Sequence, residues 1–176
     1  MSIFLVLIIS FFLISIPSTI LHFTHQWFKH GILLHTFSAV NESTWEHMKL
    51  YVGPSLIALI FQLIAFNGSY TNIFNAMVII MTIEIFGVPI MYEPLKRVVK
   101  NVPFVLTIVI FYVSVLVALI TEYFLLVNNI QFFSEPLAFI LILTIPIVFG
   151  VFTFYPPKFL LFKDPITKSY GDKFEK

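Results

Sequence analysis

Residues 41–50, NESTWEHMKL, form the densest polar run in a chain that is 59% hydrophobic and only 11% charged. The run holds Glu42, Glu46 and His47. These are the residue types that coordinate zinc or iron, or pass protons near neutral pH. Their local spacing is not a ligand pattern, because adjacent Glu46 and His47 diverge by about 100° on a helix. A structural account competes. Ser43-Thr44-Trp45-Glu46 reads as a capping box, in which Ser43 bonds the backbone N–H of Glu46 and Glu46 reaches back. A carboxylate in the first turn also suits the helix dipole. That account covers Glu46 but leaves His47, Asn41 and Glu42 unexplained.

Other groups could join this run. His22 and His25 are three residues apart and share a face if the first helix continues through them. The spacing suits two metal ligands. It equally suits one imidazole bonded to Ser18 and another lying among lipid headgroups. His30 and His35 share no face and read as surface residues. Glu84 falls inside an apolar stretch, about 12 Å from its end if Tyr92 marks that end. An ionisable side chain at that depth is expensive and points to function, against the alternative of a hydrogen-bonded Glu joining two helices. Glu122 reads as snorkelling outward, and Gln62 and Asn75 as inter-helix hydrogen bonds. The candidate acid–base residues are therefore Glu42, Glu46, His47 and Glu84. The candidate ligands for a divalent metal such as zinc are His22, His25, Glu46 and His47. The groups have compatible depths, so a shared cavity is geometrically available to them.

The elements that would position these groups are membrane spans. A soluble domain of 176 residues could not cover this much apolar surface, 22 Phe included. Five spans are expected, at about 2–25, 44–66, 71–91, 102–127 and 136–154, each long enough for about 30 Å of hydrocarbon. The fold class is an all-α membrane bundle in a single domain, with an interfacial segment after the first span and a tail over 155–176. The first span is not read as a signal peptide, since no Lys or Arg precedes it and it exceeds an ordinary h-region. Pro54 removes a backbone bond near Leu50, so a kink is expected there. Residues 67–69 form a turn, 93–101 a charged loop and 128–135 a short link. The tail is too rich in Pro and charge to cross, and Phe159 to Phe162 place it along the membrane surface. All ten Lys and Arg fall in the first connector (Lys29, Lys49), the 93–101 loop and the tail. The positive-inside rule then puts the N-terminus outside and the C-terminus in the cytoplasm. A net charge of +1 argues against nucleic-acid binding, and the absence of Cys excludes disulfides and thiolate chemistry.

The run AVNESTWEHMKL, followed by Pro54, resembles the hallmark of a family of small bacterial integral-membrane proteins. The tail FYPPKFLLFKDPITKSYG is similar to that family's closing pattern, though more loosely. The resemblance spans nearly the whole chain and implies a multi-pass protein of the bacterial cytoplasmic membrane. It marks Asn41, Glu42, Trp45, Glu46, His47 and Lys49, with Asp164, Pro165, Thr167, Tyr170 and Gly171, as motif positions and implies no activity. From the residues, one expected function is a membrane-embedded metal-assisted or acid–base enzyme acting on a lipid or lipid-linked substrate. The alternatives are a small transporter or proton-coupled permease, or a non-catalytic docking or assembly protein.

Overall fold

The computed structural model describes residues 1–28, 31–99 and 102–171, without the side chains of Gln26, Lys96, Arg97 and Phe104. Lys29, His30, Lys100, Lys173 and Lys176, which the sequence reading placed at the surface or counted in the charge pattern, lie outside the described residues. The chain is all-α, with no strand among the described residues. Among the described residues, five stretches are long and apolar enough to cross a bilayer. The first is α1 (Ile3–Trp27), followed by the short α2 (Ile32–Phe37). The second stretch is broken into α3 (Thr44–Lys49) and α4 (Val52–Phe66). Then come α5 (Ile73–Val98), α6 (Phe104–Val127) and α7 (Glu135–Phe154).

The break between α3 and α4 falls where Pro54 denies Leu50 its carbonyl partner, as the sequence predicts. Asn67 ends α4 in the left-handed conformation and Gly68 continues the turn with φ 79°. One boundary differs from expectation. The 93–101 segment is helical as far as Val98, because α5 continues beyond the apolar stretch through its charged residues. Helix satisfies its own backbone hydrogen bonds, so leaving the hydrocarbon does not require it to stop.

Helix α5 lies at the centre, against α3, α4, α6 and α7, while α1 packs on α4 and α6. The faces turned away from these contacts carry exposed Ile57, Ile60, Ile64, Ile140 and Ile147. Such an apolar exterior belongs in lipid rather than water. At the end of the bundle away from α3, Glu135 of α7 accepts the backbone N–H groups of Phe74 and Asn75, both at 3.1 Å. A carboxylate thus caps the N-terminus of α5. Asn75 in turn bonds the 128–135 link through Phe132 N, Phe133 N and Phe133 O.

The other end is organised by the polar run. Ser43 Oγ accepts the Glu46 N–H at 3.4 Å, so the forward half of the capping box forms. The return half does not. Asn41 Oδ1 takes the Ser43 N–H at 2.8 Å, and Glu46 turns inward instead. Ser43→Ala should cost about 1 kcal/mol, typical of a lost N-cap; an unchanged melting temperature in detergent would show that the cap carries no load.

Glu46 and Lys49 form an ion pair that is 1% and 0% exposed. Lys49 Nζ also donates to His35 O at 2.7 Å and Thr153 Oγ1 at 2.8 Å, so each of its three donors has an acceptor. Glu46 also accepts from Val40 N at 3.1 Å and Thr153 Oγ1 at 3.2 Å. The pair therefore joins α3 to α2 and α7. His35, expected at the surface, is buried, with its carbonyl on Lys49 and its ring against His25.

The tail also departs from expectation. Part of it folds back onto α3 rather than lying only along the membrane surface. Trp45 stacks on Phe149 at 4.3 Å between ring centroids and meets Phe162 at 4.6 Å. Asn41 Nδ2 donates to Gly171 O at 3.1 Å. Gly171 has φ 60°, and a Cβ there would come within 2.6 Å of both Pro156 Cγ and Thr153 O. Only glycine suits this conformation and approach.

Candidate metal centre

With Asn41 on the tail, Ser43 at the cap, Trp45 among aromatic rings and Glu46 paired to Lys49, the remaining ionisable residues of the run are Glu42 and His47. Both line a cavity of about 820 Å³. Helix α1 brings His22 to the same wall. One potential ligand atom from each of His22, Glu42 and His47 lies within 4.8 Å of the others. The rings of His22 and His47 are 5.1 Å apart, and His47 Nε2 is 3.5 Å from Glu42 Oε2.

Local structure fixes the chemistry of His47. It sits in the first turns of α3, four residues after Ser43. Its Nδ1 donates to the Ser43 carbonyl at 2.8 Å. The opposite nitrogen, Nε2, faces Glu42 and His22 and shares its proton with the Glu42 carboxylate; release of that proton would free the Nε2 lone pair for a metal. A backbone carbonyl on the second nitrogen is how metal-binding imidazoles are oriented. The His47 hydrogen bond holds the Glu42 carboxyl below its ordinary range; burial opposes this, and the nearby charges of His47 and His22 reinforce it. Glu42 is thus ready as an anionic ligand. Two imidazoles and a carboxylate are a donor set that catalytic zinc accepts, with a fourth position left over.

The expected ligand set is only partly brought together. His22 and His47 converge. His25 faces His35 instead, with Nδ1 3.3 Å from His35 Nε2. Three residues of helix leave about 60° between two side chains, enough to send them to different neighbours. Glu46 is committed to Lys49 and lines no part of the cavity. Glu84 also stands apart from the three ligands, bonded to Ser55 Oγ at 2.6 Å. Glu42, expected as an acid–base residue, stands beside His22 and His47 where the sequence reading had offered Glu46.

The rest of the cavity mixes two characters. Leu50, Val88, Ile108, Phe111 and Leu160 make an apolar wall. Glu93, which accepts from Thr44 Oγ1 at 2.8 Å, and Lys163 and Lys168 of the tail are also part of the lining. The sequence reading singled out neither these lysines nor Glu93 as site residues. The only signal was that Lys163 and Lys168 flank Asp164, Pro165 and Thr167 of the tail motif. Asp164 shapes that turn by accepting Ile166 N at 2.8 Å and Thr167 Oγ1 at 2.6 Å.

Searches of curated proteins and of solved structures find no match to the chain. A family model does match, over residues 3–172, and it covers both the polar run and the tail. The chain therefore belongs to DUF6512, a family of unknown function.

Proposed function

We propose that the protein is a membrane-embedded, metal-assisted enzyme whose centre is His22, Glu42 and His47, acting on a lipid or lipid-linked substrate. The observation that carries this reading is the gathering of the three ligand atoms within 4.8 Å on the wall of a large cavity. A cavity of about 820 Å³ is of ligand-binding size. Its apolar wall suits a hydrocarbon chain, and Lys163 and Lys168 suit an anionic headgroup. A divalent cation held by the three ligands supplies Lewis acidity for hydrolysis or group transfer. The Ser43 carbonyl orients His47, and Glu93 adds a carboxylate for acid–base work at the same cavity. Purified protein should carry about one equivalent of zinc or another divalent metal. Metal-free protein that takes up none on titration would overturn the reading.

The same proposal places the chain in the bacterial cytoplasmic membrane with its N-terminus outside and its cavity open to the cytoplasm. Support comes from the positive residues, which cluster in the connectors and tail at the cavity end. Lys49 is the exception, since it is buried in an ion pair and carries little weight as a topology signal. A reporter fused after residue 176 should be active only in its cytoplasmic form, and one inserted in the 67–69 turn only in its external form. The reverse pattern would turn the cavity outward.

A further inference from the structure

Glu84 is the buried acid that the metal reading leaves unused. It is fully buried in α5, and its Oε2 accepts from Ser55 Oγ at 2.6 Å. Its Oε1 is buried with no hydrogen-bond partner among the described residues. The titratable groups that act on it are Glu122 of α6 and Tyr51 at the head of α4, neither of them a cation. On α3 the charges of Glu46 and Lys49 are spent on each other, and the acid of α7, Glu135, caps the far end of α5. An ionised carboxylate in this setting would lack compensation for its lost hydration, so Glu84 is held as the neutral acid.

Its position gives that proton somewhere to go. Val88 lies four residues further along α5, on the same face and about 6 Å away along the axis. Val88 lines the cavity, as do Leu50 and Phe111. Tyr51 stacks on Phe111 with ring centroids 4.2 Å apart, joining the Glu84 layer to the cavity wall. One oxygen of Glu84 is left over, one turn beneath the cavity floor.

We propose that Glu84 is an exchangeable proton site serving the cavity. Water entering from the cavity past Val88 accepts the Oε1 proton and carries it to the cavity, and a proton delivered by the same water restores the acid. In the ionised interval Ser55 Oγ–H stays on Oε2. Glu122 also leaves its Oε1 without a partner among the described residues and bonds Gln62 Nε2 through Oε2 at 3.1 Å. It differs in place, since no residue one turn from it on α6 lines the cavity, whereas Val88 does so for Glu84. The proposal stands whether or not metal binds, because it uses none of the three ligands.

Infrared spectroscopy of the full-length protein in lipid tests this. The neutral-acid carbonyl band lost in Glu84→Gln should shift on transfer to D₂O at least about tenfold faster than the backbone amides of the spans exchange. Glu122→Gln removes the other buried acid of the spans that has no cation partner among the described residues, Glu46 being paired with Lys49, and identifies the Glu84 band should Glu84→Gln not fold. Val88→Phe should slow the shift, and chelation should leave it unchanged. Three results would each overturn the proposal: no acid band from Glu84, a band that exchanges no faster than the backbone, or a band abolished by sodium, which would mean a bound cation.

Discussion

Lys49→Ala should be the most destabilising single change in the polar run, by about 3–5 kcal/mol, the scale seen when one partner of a buried ion pair is removed. The substitution leaves the Glu46 carboxylate inside the protein with, among the described residues, Val40 N–H and Thr153 Oγ1 as its remaining partners. It also strips the His35 carbonyl of the ammonium that bonds it. Three elements meet at Lys49, so the loss should loosen α2 and α7 together. Removing both charges is a different case. Glu46→Gln with Lys49→Met leaves no buried ion and should recover much of the loss, since the two residues are in contact and their effects cannot add. Thermal melting in detergent of the two single variants and the double variant gives the coupling directly. If the double variant is simply the sum of the singles, the pair does not act as a unit.

This pair shows where the sequence is readable and where it is not. Hydropathy over twenty or so residues places the five apolar stretches, because the bilayer sets one length for all of them. Pro54 places the break at Leu50, and Ser43 places the start of α3, because both effects are local to the backbone. The inward turn of Glu46 is not local. Its partners include Thr153, far along the chain, and no spacing in 41–50 encodes that contact. The tail is the same kind of case. Phe159 to Phe162 have the composition of a surface segment, yet Phe162 is buried beside Trp45, which the bundle brings to it. At the candidate site, depth was legible and rotation was not. His22, Glu42 and His47 were all placed at one end of the bundle. Which of His22 and His25 faces His47 depends on how α1 is turned against α3. Whether Glu42 or Glu46 completes the set depends on the path of residues 38–43 into the helix.

The sharpest expectation for the centre is that metal binding and fold stability separate cleanly within the polar run. His47→Ala should lower affinity for a divalent metal by at least about 100-fold, since loss of a ligand must exceed the 10–100-fold typical of losing a second-shell partner. It should leave stability nearly unchanged, because His47 is 23% exposed and its backbone bond serves orientation, not packing. His22→Ala should act likewise. Glu42→Gln keeps size and one acceptor oxygen but loses the charge, so a smaller drop is expected. Glu46→Gln should do the opposite, lowering the melting temperature through Lys49 while metal affinity holds in whatever protein remains folded. His25→Ala, which disturbs only the contact to His35, should retain full metal content. Titration of each apo variant with zinc beside a thermal melt reads both properties on one sample. If His25→Ala or Glu46→Gln loses metal as completely as His47→Ala does, the ligand set is not His22, Glu42 and His47.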